Sequence, residues 1–240
     1  MMYYLFADYT PEVILIAAAV IPAILLLLLV YRADRVEKEP PMLLLRLLVM
    51  GIIATSAAKL LEYIGIYLLN SVFTRENWLY LALTYFGVVG FAEEGSKYML
   101  LKRTTWHSQH FNCRFDGVVY AMFVALGFAL WENIGYVLIN GFGTALIRAL
   151  TAVPGHACFG AFMGCWYAQA RMLANHGNEQ QSKSLRVMSV VLPALLHGAY
   201  DFLAVSADRI SPWYFVVFVI ALFAVTLRLV GRLSASDHFI

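Results

Sequence analysis

Charge is scarce in this 240-residue chain: Asp, Glu, Lys and Arg supply 13% of it against 62% hydrophobic residues, a balance that excludes an ordinary soluble domain. Cysteine is scarce too. Cys113 lies between apolar runs and Cys158 and Cys165 lie within one, which gives neither an even disulfide framework nor a metal-binding spacing, so all three read as packing residues. The chain has no internal repeat, no low-complexity tract, and no connection long enough to fold alone. Residues 1–240 therefore read as a single integral membrane domain whose function is built among its apolar segments. The first apolar run is preceded by no positively charged stretch and followed by no small-residue cleavage site. It is expected to be a retained membrane helix and not a signal peptide. The His-Glu-x-x-His zinc signature is missing.

What is present is a set of long apolar runs. They cover about Pro11–Tyr31, Leu43–Asn70, Trp78–Leu101, Gly117–Asn140, Thr144–Leu173, Val187–Ala207 and Trp213–Val230. Each reaches the roughly 17–25 residues that a helix rising 1.5 Å per residue needs to cross about 30 Å of hydrocarbon. The expected fold is all-α, a polytopic transmembrane bundle of about seven helices in the cell membrane, with the lipid bilayer as its solvent and no nucleic-acid partner.

The net charge of +2 says little, but its distribution is informative. Residues 1–10 and 141–143 carry no Lys or Arg, 71–77 carry only Arg75, and 208–212 only Arg209. The alternate connections hold Arg32, Arg35 and Lys38, then Lys102, Arg103 and Arg114, then Arg171, Lys183 and Arg186, and the C-terminal end has Arg228 and Arg232. By the positive-inside rule the N-terminus lies outside and the C-terminus is cytoplasmic.

Glu93, Glu94, Glu132, His156, His197 and Asp201 all fall inside these runs. A charge at the bilayer centre opposes insertion by about 2.5–3.5 kcal/mol, so six together oppose it by roughly 15–20 kcal/mol. In the third run Lys97 follows Glu93 by four residues and Glu94 by three, so its ammonium can reach either carboxylate on a helix. A structural salt bridge explains one Glu–Lys pair, but two adjacent Glu exceed what one Lys satisfies. Glu132, in Phe128-x-x-x-Glu132, has no neutralising neighbour in sequence. His156 follows Pro154-Gly155, where the helix is expected to kink, and shares its face with Gly160 and Gly164, a small-residue stripe that should meet another helix. His197 and Asp201 stand at i and i+4 on one face, suiting two ligands of one metal or one ligand and its orienting carboxylate. Each feature alone has a structural explanation; four helices contributing together point to chemistry. Arg46, the Lys59–Glu62 pair and Arg148 are assigned structural roles.

Glu93-Glu94-x-x-Lys97, Phe128-x-x-x-Glu132, Pro-Gly-His156 and His197-x-x-x-Asp201 together resemble the motif set of the PrsW family of intramembrane proteases, related to the glutamate-dependent CAAX prenyl endopeptidases. The resemblance covers about residues 80–205. It implies peptide-bond hydrolysis within the membrane, with Glu93, Glu94, Glu132 and His197 as catalytic candidates, Lys97 as their charge partner, and Glu93 as the general base. His156, His197 and Asp201 would be ligands of a divalent metal, zinc being the expected one. The CAAX enzymes typically carry His at the place of Glu132 and Asn at that of Asp201, departures that make this site more anionic and better suited to a cation. The implied partner is a membrane protein substrate, such as an anti-sigma factor. A proton or divalent-metal transporter would also gather acids and histidines from several helices and is the competing class; a catalytically inert scaffold would have no use for them.

Overall fold

A computed structural model of the chain describes residues 10–75 and 77–240; the N-terminal stretch without Lys or Arg, apart from Thr10, lies outside the described residues. Helices α1 (Thr10–Ala33) and α2 (Pro41–Asn70) follow the first two apolar runs. The third run is one continuous helical rod made of α3 (Trp78–Ala82), a π-helical stretch (Leu83–Val89) and α4 (Gly90–Thr105). After it come α5 (Asp116–Asn140), α6 (Phe142–Leu150), α7 (Ala152–Asn175), α8 (Glu179–Val205) and α9 (Trp213–Ala235). Among the described residues six segments are long and apolar enough to cross a membrane, α6 and α7 counting as one. The more charged rod Trp78–Thr105 is the seventh long helix of the bundle.

Two boundaries differ from the sequence expectation. The fifth run is not a single kinked helix; it breaks at Thr151 (φ −125°, ψ −65°), and Pro154 lies in the first turn of α7. Proline lacks the N–H that would close onto Leu150, four residues earlier, so the interruption falls one turn before the proline and not at His156. The sixth helix begins earlier, at Glu179, because Asn178 caps it by accepting from the Gln181 N–H at 3.3 Å, adding two polar turns to the apolar span.

The whole of α5 from Asp116 to Ala129 is buried, making it the central post, with α1, α2 and α7 packed around it. Lipid tails provide no hydrophobic drive between helices, so close packing of small residues does the joining. A Cβ at Gly160 of α7 would come 2.8 Å from the Ala125 Cβ, which confirms that the small stripe on this face meets α5.

All the lysine- and arginine-rich connections meet at one end of the bundle. Arg171 Nη1 donates to the Trp106 carbonyl at 2.8 Å, Asn112 Nδ2 donates to Glu37 at 3.1 Å, and the Ser234 hydroxyl donates to the Ala33 carbonyl. The C-terminal tail is strapped there: Phe115 N donates to Asp237 at 2.8 Å and Ile240 N to the Asn112 carbonyl at 2.7 Å. The charge-poor turns lie at the other end, where Trp78 packs on Phe202.

Asp34, just past α1, is buried at this strapped end, and neither of its carboxylate oxygens has a hydrogen-bond partner among the described residues. Burial pushes its carboxyl up to about 6, with Lys38 pulling back and Asp237 and Glu37 adding to the rise. Burial also raises Glu39 in the following connection. A carboxyl raised in the folded state contributes stability that is complete at low pH and lost as pH climbs through about 6. The melting temperature in detergent is therefore expected to fall between about pH 4 and about pH 6, and Asp34→Asn to flatten that fall. An identical pH profile for the variant and the wild type would refute the assignment.

Candidate active site

The site is assembled by α2, α4, α5, α6, α7 and α8. As the π-helical stretch ends, the first two turns of α4 present Glu93, Glu94 and Lys97, all buried. The π turn lets α8 approach: a Cβ at Gly198 would lie 2.8 Å from both the Phe86 Cα and the Tyr85 carbonyl, so only glycine fits, and His197 is carried against α4. On α7, His156 lies one turn after the break at Thr151 and faces Glu132 of α5.

Lys97 is the hub. Its Nζ lies 2.7 Å from Glu94 Oε1, 3.2 Å from Glu93 Oε2 and 3.1 Å from His156 Nδ1, above the Phe128 ring at 3.9 Å. His197 Nδ1 is 2.9 Å from Glu94 Oε1, and its Nε2 is 3.8 Å from Glu93 Oε2 and 3.4 Å from Asp201 Oδ2. Phe159 stacks on the His197 ring at a centroid distance of 4.8 Å, fixing its plane. His156 Nε2 is 3.1 Å from Glu132 Oε2, which also accepts from Arg148 Nη2 at 2.7 Å.

Two cations given structural roles from sequence belong to this network. Lys59 donates to Glu62 at 2.9 Å as expected, but its ammonium also stands 3.8 Å from Glu93 and 3.7 Å from Glu132. Arg148 supplies the neutralising partner that Glu132 lacks in sequence, reaching it across the break between α6 and α7. Both line a polar cavity of about 200 Å³, together with Glu93, Glu132, His197 and Asp201. Glu94 and Lys97 are not part of its wall; they lie behind Glu93. The only advance signal for Lys59 and Arg148 was that cations inside apolar runs need anions, and here the anions are on other helices.

A family model described as the PrsW family intramembrane metalloprotease matches residues 39–226. The chain belongs to the PrsW family. It is 32% identical over 204 residues to the Protease PrsW of Bacillus subtilis (strain 168), an alignment covering 82% of this chain and 85% of the relative. The Protease PrsW of Clostridioides difficile (strain 630) is 31% identical over 198 residues, covering 81% and 80%. That of Geobacillus kaustophilus (strain HTA426) is 32% identical over 222 residues, covering 91% of each chain. No solved structure matches. Membership decides between the two classes that charged helices alone leave open: this PrsW chain is a multi-pass intramembrane protease, not a transporter.

The PrsW family is described as metalloproteases, and the residues present here fit a divalent metal. Glu93, Glu94, His156 and His197 each offer a ligand atom, all within 4.8 Å of one another. Two imidazoles and two carboxylates form a donor set that zinc accepts. Glu94 Oε2 is buried with no hydrogen-bond partner among the described residues, a carboxylate oxygen open to a cation. Asp201 stands outside the group of four, within ion-pair reach of His197, in the place of an orienting carboxylate.

Proposed function

We propose that this protease cuts a single-pass membrane protein near the membrane face, with Glu93 as the general base acting on water. The gathering of Glu93, Glu94, His156 and His197 within 4.8 Å beneath a polar cavity carries this reading. Glu93 is the carboxylate of its pair that lines the cavity and can meet water and a scissile peptide. It takes a proton from water as the water oxygen bonds to the carbonyl carbon. It then returns that proton to the amide nitrogen as the C–N bond breaks, leaving a carboxylate and an amine. Lys59 and Arg148, also in the cavity wall, offer cationic donors to the oxygen that gains negative charge.

Glu94, His156 and His197 hold zinc in this proposal, and zinc supplies Lewis-acid chemistry, acidifying water and polarising the carbonyl. Glu132 accepts the proton of His156 Nε2, leaving Nδ1 with its lone pair toward the cluster. Asp201 does the same for His197 Nε2, 3.4 Å away, leaving Nδ1 with its lone pair beside Glu94 and toward the cluster.

Tyr136, Arg148 and Val205, in the cavity wall, lie near the charge-poor end of the bundle. The positive-inside rule puts that end outside, so the cut falls on the extracytoplasmic side, in a substrate such as an anti-sigma factor. The test uses purified protein in sealed liposomes with a single-pass substrate tagged at both ends and a metal-sensing dye inside. Two fragments, cut a few residues from the outer membrane face, are expected, with no dye response. Cation entry without cleavage would sink the reading.

A further inference from the structure

A second cavity, of about 720 Å³, lies between α4 and α8 and shares no lining residue with the catalytic one. At the basic end of the bundle it is lined by Lys102, Lys183 and Arg186 with a single carboxylate, Glu179. Arg186 is committed: it donates to Glu179 at 2.5 Å and lies 4.8 Å over the Trp106 ring. Lys102 and Lys183 are exposed, and neither side chain has a hydrogen bond or ion pair among the described residues. The Tyr98 hydroxyl, in the same lining, is buried and has no hydrogen-bond partner among the described residues. Toward the membrane interior the wall turns apolar, with Phe91 facing Val187, Val190 and Val191.

We propose that this groove binds one anionic phospholipid, its phosphate held by Lys102, Lys183 and the Tyr98 hydroxyl and an acyl chain lying along Phe91 and the three valines. The dimensions fit. From Lys102 to Phe91 along α4 is about 16 Å, and from Lys183 to Val191 along α8 about 12 Å, at 1.5 Å per residue. One leaflet of a bilayer with a hydrocarbon core of about 30 Å is about 15 Å deep. The groove also opens sideways, since Phe91 is 39% and Val187 58% exposed, so the medium that reaches it is lipid. Two unpaired lysines at the interfacial end complement a phosphate, and a basic pocket between membrane helices is the setting in which anionic headgroups bind. An extended acidic peptide fits less well, because its backbone N–H and C=O groups would run unpaired along the apolar wall. The same two helices carry Glu94 and His197, so the lipid lies against the elements that hold the two halves of the site.

The test is native mass spectrometry of the whole protein titrated with phosphatidylglycerol or phosphatidylcholine. The wild type is expected to retain one phosphatidylglycerol at concentrations where phosphatidylcholine does not bind. Lys102→Gln with Lys183→Gln weakens retention by roughly thirty-fold, and Tyr98→Phe weakens it by a smaller factor. Neither lysine side chain has a hydrogen bond or ion pair among the described residues, so the double variant keeps the wild-type melting temperature. Equal retention of both lipids, or unchanged retention in the double variant, overturns the proposal. So does displacement by inorganic phosphate at matched concentration, which marks a simple anion site, or by an acidic single-pass peptide, which makes the groove a substrate site. No arm depends on proteolysis, so failure here is separate from failure of the catalytic assignment.

Discussion

Glu93→Gln is expected to slow cleavage of a membrane substrate by about two to four orders of magnitude, the span a positioned general base contributes. That corresponds to about 3–5 kcal/mol of barrier. The substitution keeps the volume and helix propensity of glutamate and removes only the group that can carry the proton. Its structural cost is small because its cationic partners keep other anions. Lys97 retains Glu94 at 2.7 Å, and Lys59 retains Glu62 at 2.9 Å and Glu132 at 3.7 Å. The variant should therefore insert and melt like the wild type while its kcat collapses. Glu94→Gln is a different experiment. It removes the nearest anion to Lys97 and the carboxylate nearest to His197 Nδ1 in a fully buried place, so stability falls along with activity. A Glu93→Gln enzyme that turns over at the wild-type rate would move the base elsewhere, with Glu132 the next carboxylate in the cavity wall.

How far the site could be read in advance depended on whether its contacts lie within one helix. The Glu93–Lys97 and Glu94–Lys97 pairs follow from i, i+4 and i, i+3 spacing, and both form. The His197–Asp201 spacing likewise puts the two side chains together, yet the group nearest to His197 is Glu94 on α4, at 2.9 Å against 3.4 Å. Periodicity cannot supply that contact, because it depends on the π turn and on the approach of Gly198 to the Phe86 backbone. Arg148 shows the same limit. Read as one kinked helix, the fifth run gives no reason for Arg148 to reach back to Glu132. With the chain broken at Thr151, α6 becomes a separate short helix after the Gly141 turn (φ 79°), and Arg148 returns alongside α5. The membrane helices themselves were plain, because a run of about twenty apolar residues has few alternatives in a bilayer.

Metal removal is expected to have an effect at least as large as loss of the base. Purified protein should contain one divalent cation per chain. Prolonged chelation should abolish cleavage, and zinc should restore it. The argument rests on charge: Glu93, Glu94, His156 and His197 bring two carboxylates and two imidazoles into a space of 4.8 Å, and in the surrounding network Lys59, Lys97 and Arg148 face five carboxylates, those of Glu62, Glu93, Glu94, Glu132 and Asp201. A dication answers the excess negative charge and the orphaned Glu94 Oε2, which no donor among the described residues reaches. His156→Ala and His197→Ala each remove one donor of the set, so elemental analysis should find the metal lost from both variants. Asp201→Asn should keep a metal at saturation but weaken its affinity by about 10–100-fold, as expected of a carboxylate that orients a ligand without binding the ion. The two outcomes separate the roles. If Asp201→Asn emptied the site as completely as His197→Ala, Asp201 would be a ligand, and the His197 ring would have to turn from Glu94 toward it. If no preparation held metal and chelator left cleavage intact, Glu93 would act on water without a cation, with Lys59 and Arg148 alone to meet the charge on the carbonyl oxygen.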